Sequence, residues 1–277
     1  MTGTGFGSAA FGTVLCDQPA PSVARITLNR PGAMNAYSFA MTQELQAAIA
    51  AFRDDDTLKV LILTGAGERA FCTGGDISGS EPDHSAAVAA APMGHGREMR
   101  EGMQAVVLAL RRLDKPSIAM VRGYAVAGGL ALACACDFRV AAESARLGDT
   151  SGKVGLLPDE GGAWLFPRLM GLDRALKMTL LSEIYDAATA AALGLVTEVV
   201  ADAALEARAL EFAGALATRA PLAVRLSKAM MMRAGQISLE DSMIDAQHAV
   251  MIANPSADVR EGIKAFREKR SPRFEGR

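Results

Sequence analysis

Two glycine pairs, Gly74-Gly75 and Gly128-Gly129, each follow a run of aliphatic residues that reads as a buried strand. The first sits in Ala70-Phe71-Cys72-Thr73-Gly74-Gly75-Asp76-Ile77, after Lys59–Thr64. The second sits in Gly123-Tyr124-Ala125-Val126-Ala127-Gly128-Gly129-Leu130, after Pro116–Val121, and runs straight into a small-residue helix over Gly129–Ala135. A helix start presents unpaired N–H groups and a partial positive charge, and glycine lets another molecule approach them. Two such loops can aim two backbone donors at one oxygen. That is the arrangement of an oxyanion hole, worth about 3–4 kcal/mol per donor to a developing enolate. Tight turns alone account equally well for the glycines.

A competing motif, Gly65-Ala66-Gly67-Glu68-Arg69-Ala70, has the GxGxxA spacing of a dinucleotide-binding turn. That chemistry needs a helix opening at the glycines and an acidic residue about 20 positions on. Gly74 and Gly75 would break such a helix, and no second strand ends in the required acid. A surface turn is the better reading.

The elements that must hold the two loops are legible around them. Val23–Leu28 reads as a strand. Ser38 is an N-cap for a helix over Phe39–Arg53. Lys59–Thr64 and Pro116–Val121 read as strands buried on both faces, and Phe138–Ala141 as another. A Gly-, Ser- and Pro-rich loop reaches Gly96, before a helix over Arg97–Leu113. From 161 onward the periodicity is helical, over about 161–182, 187–193, 203–218, 221–234, 238–253 and 255–270, with Pro221 at a helix N1 position. The layout is an α/β core with a helical final third. No linker divides it, so residues 1–200 and 201–277 form one integrated domain.

Composition sets the outer limits. The 277 residues carry 29 Lys plus Arg and 31 Asp plus Glu, with 50% hydrophobic and 5% aromatic residues. This hydrophobicity excludes a disordered chain. Near-neutrality without a basic stripe of interleaved aromatics argues against a nucleic-acid partner. The neutrality is uneven, since from Lys264 onward six basic residues face two acidic ones, a net charge of +4 suited to phosphates. The longest apolar stretch, Tyr124–Cys136, is too short to span a bilayer, which takes about 20 residues. The N-terminus lacks the pattern of a secretory signal. Cys16, Cys72, Cys134 and Cys136 read as free thiols of a cytoplasmic protein, and the histidines show no metal-ligand spacing.

Several segments together resemble the crotonase, or enoyl-CoA hydratase/isomerase, superfamily. They are Ile26-Thr27-Leu28-Asn29-Arg30-Pro31 with Asn35-Ala36, both glycine loops, Gly155-Leu156-Leu157-Pro158 with Gly161-Gly162, Leu193-Gly194-Leu195-Val196 and the tail Ala265–Arg270. The resemblance covers nearly the whole chain in order. It implies a ββα spiral core, a homotrimer or dimer of trimers, and acyl-CoA thioester substrates, with coenzyme A arriving as part of the substrate and no separate cofactor or metal. The oxyanion donors would be the N–H groups of Gly75 and Gly128. Substrate and CoA contacts would fall on Ala36, Ala70, Cys72, Gly74, Asp76, Ile77, Tyr124, Ala127, Ala131, Ser151, Phe266 and Lys269, the last two often across a subunit boundary. The Lys usual before the apolar-Asn-Ala is Ala33 here, so one CoA contact is missing.

The hydratases of the family use two glutamates, and matching puts Ala131 and Ser151 at those positions. Neither can serve as a base for water addition. Glu143, Asp149 and Glu160 are the nearby acids. Pro158-Asp159-Glu160-Gly161-Gly162-Ala163-Trp164 resembles a subgroup with acyl-CoA isomerases, in which the carboxylate after the Pro shuttles a proton. By that match Asp159 is the base, with Glu160 a second candidate. The residues alone also allow Asp159 to be an N-cap. The expectation is therefore an enoyl-CoA isomerase. The alternatives are an atypical enoyl-CoA hydratase and a catalytically weak CoA-binding protein. Met99, Met103 and Met230–Met232 can line an acyl site or fill the core. His84 and His95 lie in a loop that can cover that site, where solvation is the blander reading.

Overall fold

The computed structural model describes residues 6–7, 11–78, 90–91 and 93–277. Among them are ten strands and eleven helices. A hairpin of β1 (Val14–Ala20) and β2 (Val23–Leu28) leads to α1 (Phe39–Asp54), whose N-cap Ser38 accepts from the Met41 N–H. Then follow β3 (Val60–Gly65), β4 (Ala70–Cys72), α2 (Gly94–Glu101), α3 (Met103–Arg112), β5 (Ser117–Val121), β6 (Tyr124–Val126) and α4 (Gly128–Ala135). After these come β7 (Phe138–Ala142), β8 (Arg146–Gly148), α5 (Gly162–Met170), α6 (Leu172–Leu181), β9 (Ile184–Asp186), α7 (Ala187–Ala192) and β10 (Glu198–Val200). The chain closes with α8 (Leu205–Ala217), α9 (Pro221–Ala234), α10 (Leu239–Ala253) and α11 (Ala257–Glu268).

The strands build two sheets, one of six in the order β1-β2-β3-β5-β7-β10 and one of four in the order β4-β6-β8-β9. Each turn of the chain sends one strand to the large sheet, the next to the small sheet, then a helix. This is a ββα spiral. Successive turns add parallel strands to both sheets, β3-β5-β7 to one and β4-β6-β8 to the other.

The strand sequences account for the layering. Side chains alternate between faces along a strand. In β3, Leu61 and Leu63 join the core between the sheets and helices, whereas Val60 and Ile62 join a second core on the outer face. In β5, Ala119 and Val121 take the first face and Ile118 and Met120 the second. Leu205, Ala209 and Ala213 of α8 close the outer core. Helices α9 and α10 bury no residue, and α11 buries only Asp258 and Ala265.

Several boundaries differ from the sequence expectation. The helix expected over 97–113 is two helices, broken at Gly102, where a Cβ would stand 2.7 Å from the Glu98 carbonyl oxygen. The helix expected over 161–182 is also two, separated by Gly171 at φ 86°. Gly65 ends β3 and β4 follows within five residues, so no helix opens there and the dinucleotide motif is a turn. No helix among the described residues is long and apolar enough to cross a membrane.

Candidate active site

The small sheet decides where the site lies. Strands β4, β6 and β8 are parallel neighbours, so their C-terminal ends and the segments that follow lie side by side. Ligands of α/β folds bind at such strand ends. Here the segments are Thr73–Asp76, Ala127-Gly128 and Asp149–Glu160, and all three contribute to a cavity of about 410 Å3 whose remaining walls come from Tyr37–Thr42 and from α2 and α3.

The two glycine loops meet at the cavity. Gly74 has φ +92°, and a Cβ there would lie 3.3 Å from the Gly128 amide nitrogen and 3.1 Å from the Ala127 Cβ. Both the left-handed backbone and the close approach require glycine. Tyr37 bonds to both neighbours of Gly75, its N–H donating to the Gly74 carbonyl (2.9 Å) and its carbonyl accepting from the Asp76 N–H (2.9 Å). In this parallel bridge the Gly75 N–H points away from Tyr37. Gly128 opens α4, so its N–H has no acceptor within the helix. The turn into α4 is made at Ala127, a non-glycine residue at φ 50°, ψ −129°. Such strained backbone is characteristic of functional sites.

The first loop is braced from behind. Arg30 donates to the Asp76 carboxylate (2.7 Å) and to the Ala36 carbonyl (2.7 Å). Asn35, wholly buried, donates to the carbonyls of Ala66 and Ala70 and accepts from the Arg30 N–H. The Ile26–Pro31 and Asn35-Ala36 motifs therefore act through loop geometry.

The acids of the segment after β8 divide sharply. Asp159 is exposed on the cavity wall, and its backbone carbonyl accepts from Gln104 (2.8 Å). It caps no helix, because α5 begins after Gly161 without a side-chain cap. Glu160 is buried, 6% exposed, yet also lines the cavity. Its Oε1 accepts the Tyr37 hydroxyl at 2.5 Å. Burial pushes the Glu160 carboxyl up to about 7. The Tyr37 hydrogen bond opposes that rise, and the adjoining Asp159 carboxylate adds to it. Burial beside Glu160 in turn holds the Tyr37 phenol well above its usual value. A carboxyl poised near neutrality at a cavity wall is suited to taking and returning a proton. Glu160 also crowds the second loop, since a Cβ on Gly128 would stand 2.2 Å from its Oε1.

The other expected positions fall as follows. Thr73, Gly75, Asp76, Ile77, Ala127 and Ser151 line the cavity, as do Met99 and Met103. Ser151 donates to Asp149 Oδ1 (2.7 Å), and Asp149 is wholly buried. Ala36, Ala70, Cys72 and Ala131 are buried in the supporting structure. Tyr124 is 41% exposed on β6, outside the cavity lining, and Phe266 and Lys269 lie at the end of α11, also outside it. Glu143 is exposed just after β7. Trp164 does not shape the cavity; it stacks with Arg168, 3.8 Å from the ring centroid. Cys134 and Cys136 are core thiols that burial pushes up to about 11 and about 12, and Met231 is exposed on α9. His95 is exposed on α2; His84 lies outside the described residues. Sequence reasoning passed over Tyr37. Its one signal was its place directly after Asn35-Ala36, the motif that braces the first loop.

Two strand-end glycine loops meet at one cavity, with a buried carboxyl beside the second of them. The profile of the enoyl-CoA hydratase/isomerase family matches residues 19–277, and the chain belongs to that family, the crotonase superfamily. It is 37% identical over 254 residues to the (E)-benzylidenesuccinyl-CoA hydratase of Thauera aromatica, covering 92% of this chain and 96% of the relative. It is 35% identical over 260 residues to the 1,2-epoxyphenylacetyl-CoA isomerase of Escherichia coli, covering 92% and 95%. The crystal structure of an enoyl-CoA hydratase from Bacillus anthracis superimposes with a TM-score of 0.89 at 34% identity, over 96% of this chain and all of that one.

Proposed function

We propose that the protein is an enoyl-CoA isomerase, with Glu160 as the proton carrier and the N–H groups of Gly75 and Gly128 as the oxyanion donors. The observation that carries this reading is the buried Glu160 carboxyl, poised near neutrality beside Gly128. A 3-enoyl thioester enters with its carbonyl oxygen on the two amides. Ionised Glu160 removes a proton from Cα, and the C–H electrons pass into a dienolate whose oxygen the amides hold. The same carboxyl then returns the proton to Cγ, giving the conjugated 2-enoyl thioester. One carboxyl suffices for this transfer, in keeping with Ala131 and Ser151 at the two family positions. Asp159, on the exposed part of the same wall, raises the proton affinity of Glu160. Coenzyme A comes with the substrate. Conversion of 3-enoyl-CoA to 2-enoyl-CoA, followed by the absorbance of the conjugated product, tests the reading. Loss of that conversion in Glu160→Gln supports it, and a wild-type rate in that variant rejects it.

A second reading, hydration of a 2-enoyl-CoA, is favoured by the adjoining pair of carboxyls, one exposed and one buried. One would activate water and the other protonate Cα. Water addition lost in both Asp159→Asn and Glu160→Gln, without isomerisation in the wild type, would establish it. The apolar residues left exposed on α9 to α11, among them Met231, Met251 and Phe266, support a homotrimer or dimer of trimers in which a neighbouring copy brings Phe266 and Lys269 to the site. Light scattering on the purified protein measures that state.

A further inference from the structure

Tyr37 touches three parts of the site at once. Its backbone is tied to the first glycine loop by the bonds to Gly74 and Asp76. Its ring lies 3.6 Å and its hydroxyl 3.5 Å from the position a Cβ on Gly75 would take, and the hydroxyl lies 2.8 Å from the corresponding position on Gly128. The hydroxyl proton goes to Glu160 Oε1. The geometry points to Tyr37 as the positioning residue of the site: by tying Oε1 beside Gly128 it holds the Glu160 carboxyl in one orientation, at a fixed place relative to the second glycine loop.

The inference rests on Glu160 being the proton carrier. The terminal torsion of a glutamate is broad and roughly two-fold, so an untied carboxyl presents either oxygen. A phenol has one proton to donate, and here it is committed to Oε1. The bond therefore holds Oε1 beside Gly128 and fixes the rotation of the carboxyl. The bond also favours the ionised carboxyl against the opposing effects of burial and Asp159. The titratable groups around Glu160 are Tyr37, the adjoining Asp159 and the Cys72 thiol on β4. Glu98, Lys153 and Asp76, the last paired with Arg30, line the same cavity.

The test is Tyr37→Phe, which keeps the ring and the backbone bonds and removes only the hydroxyl. The ascending limb of kcat/KM against pH moves up by about one unit or more, as expected for losing a hydrogen bond to a charged group. kcat falls about 10–100-fold, in the range of a misplaced acid–base group, while KM changes little. A purely structural tyrosine would leave the pH limb unchanged, and that result overturns the inference. Should Tyr37→Phe fold poorly, 3-fluorotyrosine at position 37 keeps the ring and donates more strongly, so the limb moves down; no movement again overturns it. If Glu160→Gln is as active as wild type, the reading beneath the inference has failed. If Glu160→Gln is inactive and Tyr37→Phe unaltered, only the role of Tyr37 has failed.

Discussion

Replacing Gly128 by alanine separates the chemistry of this site from its stability. The new Cβ would stand 2.2 Å from Glu160 Oε1, 2.7 Å from its Cδ and 2.8 Å from the Tyr37 hydroxyl. Ordinary contact begins near 3.4 Å, so the carboxyl must retreat by about 1.2 Å. It sits at the far end of a flexible side chain and can do so, but its bond to Tyr37, now 2.5 Å, does not survive the move. A displacement of about 1 Å in a reacting group costs about 100-fold in rate, and misdirected acid–base catalysis about 100- to 10,000-fold. Gly128→Ala is therefore expected to lower kcat/KM for 3-enoyl-CoA by about 100- to 1,000-fold with melting near that of wild type. The control is its neighbour. A Cβ on Gly129 would lie 2.1 Å from the Cys72 carbonyl oxygen and 2.6 Å from its carbon. Those are backbone atoms of β4 and cannot turn aside, so Gly129→Ala destabilises the fold by about 1–3 kcal/mol or more. Parallel activity assays and thermal melts of the two variants decide the matter. Wild-type activity in Gly128→Ala, or a loss of activity that only tracks a loss of stability, refutes the reasoning.

Two further outcomes follow from the buried carboxyl. Because Glu160 must be ionised to take a proton and burial has pushed it up to about 7, kcat/KM for isomerisation rises with pH through about 7; a limb near the ordinary carboxyl value of 4.5 would contradict this. In stability the sign is opposite. Below about 4.5 the carboxyl is protonated in both the folded and unfolded chain. As pH rises to about 7 the unfolded chain releases its proton first, and the fold loses up to about 3 kcal/mol. Glu160→Gln carries no such loss, so its advantage in denaturant midpoint over wild type grows between pH 4.5 and 7 and then levels; a difference independent of pH would contradict the burial argument.

How much of this was legible in the sequence varies by element. The central strands β3 and β5 show themselves as continuous aliphatic runs, because both of their faces are buried. The strands that set up the site do not. β4, β6 and β8 are three residues each, too short for any periodicity, and they are held by their neighbours in the small sheet. The glycine loops stood out, since small side chains at a close approach leave a compositional mark. The division of labour between Asp159 and Glu160 did not. The two are adjacent, and which one turns inward is settled by the segment after β8 and by Gly161 at φ +116°. The partner that holds Glu160 lies 123 residues away, a separation at which spacing says nothing.

The central claim is that the buried Glu160, rather than its exposed neighbour, carries the proton. The most direct measurement is the rate of 3-enoyl-CoA to 2-enoyl-CoA conversion by the wild type, Glu160→Gln and Asp159→Asn, with thioester affinity measured alongside. The account predicts that Glu160→Gln loses at least about 100-fold in kcat with affinity retained, while Asp159→Asn keeps substantial activity and its pH limb moves down. Full activity in Glu160→Gln together with an inactive Asp159→Asn would contradict it.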